Sequence, residues 1–170
     1  MRSGLRVGDG LHRPERLPPG RQTVLRTALA MAGEVMVFTG LARGVDPWAA
    51  AETVAARAAG FPLRRAAVLP SPGQEARWPP ADRAAYTRCL SAADEIILCP
   101  PRPPGDAAEA RALLLARNVR LVALVGPAGL LLAVWDGGLS GTAHTVRTAK
   151  DLGVPVLRLD PHMARLLKEV

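Results

Sequence analysis

Residues 34–46 read EVMVFTGLARGVD, an apolar, β-branched run that stops at Thr39 and gives way to Gly40-Leu41-Ala42-Arg43-Gly44-Val45-Asp46. A short apolar run closed by glycine is the pattern of a buried strand, and the alanine-rich stretch from Trp48 to Ala59 has helical periodicity. The unit is strand, glycine-rich turn, helix. Gly40 and Gly44, four residues apart, let the backbone turn sharply and present N–H groups at a helix N-terminus, where an anion is well held. Arg43 can add a charge-assisted contact to phosphate. Asp46 is expected to cap the helix that begins near Trp48. The same residues also fit a plain strand-to-helix turn with its N-cap.

Outward from this unit the alternation continues. Strands are expected near Leu5 to Gly8, Glu34 to Thr39, Arg64 to Leu69, Glu95 to Cys99, Leu130 to Trp135 and Pro155 to Leu159. Helices are expected near Gln22 to Ala32, Trp48 to Ala59, Ala81 to Ala93, Asp106 to roughly Leu124, Thr142 to Leu152 and Pro161 to Leu167. Residues 119–135 can also be read as a hairpin about Gly126-Pro127-Ala128-Gly129. Helix then strand is preferred, because the strand at Glu95 needs a crossover of a dozen or more residues to reach a parallel neighbour. The Pro-rich stretches at Pro79-Pro80 and 100–105 mark loops. The expected fold class is α/β, a Rossmann-like three-layer sandwich with a mainly parallel sheet covered by helices on both faces. With 170 residues and 49% apolar content, one domain spanning 1–170 with a genuine core is expected, and a disordered chain is excluded.

Charge constrains the partners less sharply. Lys plus Arg is 22 against 15 Asp plus Glu, a net charge of +7, which permits attraction to phosphates. Arginines 2, 6, 13, 16, 21 and 26 stand against Asp9 and Glu15 in the first stretch, a pattern that a solvated surface also explains. Cys89 and Cys99 lack any CxxC or Cys/His spacing, so free buried thiols are expected, with no metal site and no cofactor. No apolar run is long enough to span a bilayer, since Leu113 to Val134 is interrupted by Arg117, Arg120 and Gly126-Pro127. Arg2 and Arg6 precede no apolar leader segment, which places the protein in the cytoplasm, away from membranes.

A second glycine-rich turn lies at Trp135-Asp136-Gly137-Gly138-Leu139-Ser140-Gly141-Thr142-Ala143-His144, again between a strand and a helix. In a doubly wound sheet, ligands sit outside the carboxyl ends of the strands at a topological switch point, so both turns can line one crevice. Ser140 and Thr142 can cap the helix or bind phosphate. Ala143, Val146, Ala149 and Leu152 form its expected buried face, leaving His144 and Arg147 on polar flanks. The first strand ends in Gly8-Asp9-Gly10-Leu11-His12-Arg13-Pro14, which brings His12 and Arg13 beside the same crevice or leaves them in a solvated loop. Arg117-Asn118 sits in an apolar helix, where a buried guanidinium needs a partner unless it snorkels to the surface.

These elements in this order resemble the YpsA-like family of the SLOG superfamily, Rossmann-like proteins related to the LOG phosphoribohydrolases and to the DNA-processing protein DprA. The carriers are Gly10 to Pro14 with Leu17, Gly40 to Asp46 with Trp48-Ala49-Ala50, Gln74 with Trp78 and Tyr86, Arg117-Asn118, and Trp135 to Thr142. The resemblance implies a nucleotide or nucleotide-derived ligand between the glycine-rich loops, and a homodimer or higher oligomer. LOG enzymes cleave an N-glycosidic bond with a PGGxGTxxE glutamate and an arginine. Here Gly141-Thr142 is followed by Ala143-His144-Thr145, so the glutamate is missing, although Arg117 matches the arginine.

Binding therefore ranks above hydrolysis, and no catalytic residue is assigned. The expected ligand-binding set is Arg13, Gly40, Arg43, Gly44, Asp46, Arg117, Asp136, Gly137, Gly138, Ser140, Gly141 and Thr142, with Trp48 or Trp78 stacking on a base. The first alternative is a nucleotide N-glycosidic hydrolase or transferase in which Glu52, Asp46, Asp136 or His144 replaces the missing acid. The second is a DprA-like binder of single-stranded DNA, against which stands an aromatic content of only 4%.

Overall fold

The computed structural model describes residues 4–8, 35–99, 102–160 and 165–169. The expected helix at Gln22 to Ala32, and His12 and Arg13, lie outside the described residues. The strands are β1 (Gly4–Gly8), β2 (Val35–Thr39), β3 (Leu63–Leu69), β4 (Glu95–Leu98), β5 (Leu130–Val134), β6 (Val156–Asp160) and β7 (Arg165–Glu169). The helices are α1 (Val45–Ala58), α2 (Pro80–Ser91), α3 (Ala107–Val125) and α4 (Gly141–Asp151). The strand order is β4-β3-β2-β1-β5-β6-β7, parallel throughout except for the antiparallel β6–β7 pair. The result is a mixed α/β fold of parallel strands flanked by helices, broadly Rossmannoid. Among the described residues no helix is long and apolar enough to cross a membrane.

The period-two geometry of a strand sorts the core into clusters. Val35, Val37, Leu132 and Val134 pack with Val45, Ala49 and Ala56 of α1. The alternate residues Leu131 and Ala133, with Val156, meet Val122 and Val125 of α3 and Val146 and Ala149 of α4. A third cluster joins Ala67 and Leu69 of β3 to Leu41, to Ala50 of α1 and to Tyr86 of α2. Because β5 is buried by helices on either side, it reads as a continuous apolar run rather than an alternating one. Helix α3 has contacts with β1, β2, β3 and β5, so it is the crossover that carries the chain from β4 at one edge back past β1. That return puts the topological switch between β1 and β5.

Helix then strand is the arrangement found at 107–134, and Gly126, with φ 67°, closes α3 in the left-handed region that favours glycine. Asp106 caps that helix by accepting from the Glu109 N–H at 2.7 Å, while the Glu109 carboxylate reaches back to the Gly105 N–H at 2.6 Å.

Three local expectations are corrected. The chain end is not a helix from Pro161 to Leu167, because Arg165–Glu169 runs as a strand paired from Asp160↔Arg165 to Val156↔Glu169. So short a helix is marginal alone, whereas the open edge of β6 offers a full row of backbone partners. Helix α1 begins at Val45 rather than near Trp48, with Pro47 tolerated in the first turn, where its missing N–H has no intrahelical partner. Leu152 follows the last residue of α4 and is 45% exposed rather than part of its buried face. Both cysteines are free and half-buried, and burial raises both thiol pKa values.

Asp94 ties the entry of β4 to the rest of the fold. Its Oδ2 accepts from the Arg65 backbone N–H at 2.8 Å and pairs with Arg57 Nη1 at 3.0 Å. Burial alone would raise its pKa, but that hydrogen bond and the Arg57 guanidinium outweigh it and hold the carboxyl below its ordinary value. A carboxylate lowered by folding contributes stability that is present above its unfolded pKa and is lost as pH falls through the folded one. Wild-type stability is therefore expected to fall on acidification below about pH 4, the ordinary range of an unfolded Asp, and Asp94→Asn to flatten that slope. Urea titrations at stepped pH measure it, and equal slopes for the two proteins would contradict the assignment.

Candidate functional site

The β2–α1 turn is built from three anchors. The Asp46 Oδ2 accepts from the Thr39 hydroxyl at 3.2 Å and from the Ala42 N–H at 3.1 Å, so this carboxylate braces the loop. Asp46 is not the N-cap expected of it: the N-cap position belongs to Gly44, whose φ of 111° is accessible to glycine and strained for other residues. Leu41, at φ 51°, is a non-glycine residue in the left-handed region, and its fully buried side chain in the third cluster offsets that conformational cost. Gln74 Nε2 donates to the carbonyls of Gly40 and Leu41 at 3.2 and 3.4 Å, clamping the turn from the β3–α2 loop.

The β5–α4 turn divides into two halves with different jobs. In the first, Asp136 Oδ1 accepts from the Gly138 N–H at 2.8 Å and Trp135 Nε1 donates to the Gly138 carbonyl at 2.7 Å. Arg158 of β6 donates from Nε to the Trp135 carbonyl at 2.8 Å, lies 5.1 Å from the Trp135 ring centroid, and pairs with Asp160 at 3.1 Å. This half is thus a clamped structural turn. In the second half, Ser140 caps α4 by accepting from the Ala143 N–H at 3.2 Å. Helix geometry leaves the amides of Gly141 and Thr142 without intrahelical acceptors, at the positive end of the helix dipole.

A cavity of about 630 Å³ opens at that first turn. Ala42 and Arg43 come to it from the β2–α1 turn, and Ser140, Gly141 and Thr142 from the β5–α4 turn. Helix α3 supplies Arg111, Leu114, Leu115, Arg117 and Asn118, while α4 adds His144 and Arg147. Among the described lining residues there are four arginines and no Asp or Glu. Thr142 is only 1% exposed, and its Oγ1 has no hydrogen-bond partner among the described residues; the same holds for His144 Nδ1. Arg117 is 2% exposed, so it does not snorkel. Its guanidinium lies against Gly40, and any Cβ at that position would collide with it. Asn118 Nδ2 donates to the Gly141 carbonyl at 3.4 Å, which docks α3 against the start of α4. Arg43 also forms a 2.7 Å surface ion pair with Asp82.

Of the residues expected from sequence, Arg43, Arg117, Ser140, Gly141 and Thr142 are brought together in this cavity. Gly40 lies beneath Arg117 and serves as its seat. Gly44, Asp46, Asp136, Gly137 and Gly138 do not line it: the first two shape the β2–α1 turn, and the other three belong to the half held by Arg158. Arg13 lies outside the described residues. Trp78 stands edge-on to Tyr86 at 5.5 Å and packs on the third cluster, while Trp48 packs on the first, so neither is placed to stack on a ligand here. Glu52 is buried in α1 and does not line the cavity.

Sequence reasoning missed Arg111, Leu114 and Leu115 entirely. The usable signal was the spacing Arg111, Leu114, Leu115, Asn118, which places these residues on one helical face. No protein-family model matches this chain, and no curated protein matches it.

Proposed function

We propose that this chain binds a nucleotide or nucleotide-derived phosphorylated ligand, with a phosphate seated on the amides of Gly141 and Thr142. The observation that carries the reading is the buried Thr142 hydroxyl, without a hydrogen-bond partner among the described residues, at the first turn of α4 in a cavity whose described lining has four arginines and no carboxylate. A buried hydroxyl with no hydrogen bond is costly, and an anion oxygen would satisfy it. Arg117, Arg147 and the helix dipole would add charge-assisted stabilisation. The resemblance to the YpsA-like branch of the SLOG superfamily supports the same ligand class, and with it a three-layer Rossmann-like sandwich in a cytoplasmic homo-oligomer. Binding is adopted over N-glycosidic hydrolysis because the lining side chains offer His144 but no described carboxylate to stabilise an oxocarbenium-like transition state.

The test is a thermal-shift panel of AMP, ADP-ribose, NAD, cyclic nucleotides and a short single-stranded DNA. At a hundredfold excess over Kd, a native-state ligand stabilises by about 2.7 kcal/mol, which for a chain of this size raises Tm by about 5–10 °C. At least one nucleotide is expected to do so, and Thr142→Val is expected to reduce the shift. A shift with DNA alone would replace this reading with the DNA-binding one, and no shift with any member would overturn it.

A further inference from the structure

Arg111 does not belong to the phosphate seat. It precedes Asn118 by seven residues on α3, which is about 10 Å along the helix axis, and Asn118 is level with the start of α4 through its bond to the Gly141 carbonyl. Helical side chains lean toward their own N-terminus, so the Arg111 guanidinium is directed further from the seat. On α4 the same rule acts in the opposite sense: Arg147 lies beyond Thr142 and leans back toward it. Both arginines line the same cavity, and between Arg111 and the seat the wall is apolar, formed by Leu114 and Leu115. An anion held on the seat would sit by the Thr142 hydroxyl and Arg147, about two turns of α3 away from the level of Arg111.

We propose that the cavity takes an elongated ligand with two anionic groups about 10 Å apart, one on the first turn of α4 and the other against Arg111, with a less polar spacer along Leu114 and Leu115. The proposal rests on the reading of the cavity as an anion site and adds the length and double charge of the ligand.

A molecular ruler separates the two claims. Isothermal titration would compare alkane-α,ω-bisphosphonates from ethylene to decylene spacers, all of equal charge, with alkylmonophosphonates of matching chain length. Affinity is expected to rise to a maximum at the spacer that spans about 10 Å, roughly tenfold above the shortest member, with no such maximum among the monophosphonates. Arg111→Gln is expected to flatten the length dependence without changing monophosphonate affinity. Arg120→Gln, the same charge change at an exposed α3 position outside the cavity lining, should leave the maximum in place. Thr142→Val should weaken every member. A flat profile in the wild type, or a maximum that survives Arg111→Gln, would overturn the two-anion proposal and leave the phosphate seat standing. Binding of none of the phosphonates would overturn the seat and the proposal with it.

Discussion

Replacing Arg117 with methionine is expected to weaken binding of the nucleotide that gives the largest thermal shift by about 2–3 kcal/mol, roughly 30- to 150-fold in Kd. Arg117 lines the cavity at 2% exposure, where a guanidinium is poorly screened and its hydrogen bonds to an anion are correspondingly strong. Methionine retains much of the bulk of the arginine stem, so the loss would report the missing charge rather than a collapsed core. Gly40→Ala should produce a smaller loss by the same route, since a methyl at position 40 collides with the guanidinium and displaces it. Calorimetric titration measures both effects, with circular dichroism as the check on folding. An unchanged Kd in a folded Arg117→Met protein would remove Arg117 from the site.

The largest effect on stability is expected at the other buried arginine. Arg65, 1% exposed, donates from Nη1 to the Ala50 carbonyl at 2.8 Å and to the Thr53 hydroxyl at 3.2 Å, and from Nη2 to the Cys89 carbonyl at 2.6 Å. One side chain on β3 therefore holds the body of α1 and the last turns of α2. Burial lowers its pKa, yet the guanidinium remains protonated throughout the accessible range. Arg65→Ala leaves a void, removes all three of these hydrogen bonds and deprives the Cys89 carbonyl, in the last turn of α2, of its guanidinium donor, for an expected loss of about 3–5 kcal/mol. Arg65→Met fills the void and avoids the desolvation of a charge, so its loss should be clearly smaller. Urea denaturation of the two variants decides the matter. Equal losses would mean that the void contributes nothing and that the lost hydrogen bonds of the guanidinium account for the whole effect, against the expectation.

The alternation of strand and helix could be read from residues 34–160 because each apolar run ends at glycine, proline or an acidic residue and each following segment has helical spacing. Strand β7 could not be read that way, since its conformation depends on the free edge of β6 rather than on its own residues. The sequence marks Asp46 as belonging to the junction of β2 and α1 but not its role, because whether a carboxylate caps forward or braces backward depends on where Thr39 and Ala42 come to lie.

The two glycine-rich turns were equally plain as anion-binding candidates, and only the structure separates their parts. Asp136 and Gly138 bond each other, and Arg158, a residue on the next strand, holds the Trp135 carbonyl and lies beside Gly137, so the local pattern of this turn carries no sign of that engagement. Arg111 is the converse case. Its spacing with Leu114, Leu115 and Asn118 marks a shared helical face but not what that face meets, and it lines the cavity because α3 crosses the sheet and meets the start of α4 at Asn118.

The most direct test of the account is a backbone amide NMR titration with AMP, read residue by residue. Large, saturable shifts are expected at Gly141 and Thr142, whose amides face the proposed phosphate, with smaller ones at Arg117 and Asn118 and none at Gly137 or Gly138. Shifts concentrated elsewhere, or a bound nucleotide that leaves the amides of Gly141 and Thr142 unmoved, would contradict a phosphate seat at the start of α4.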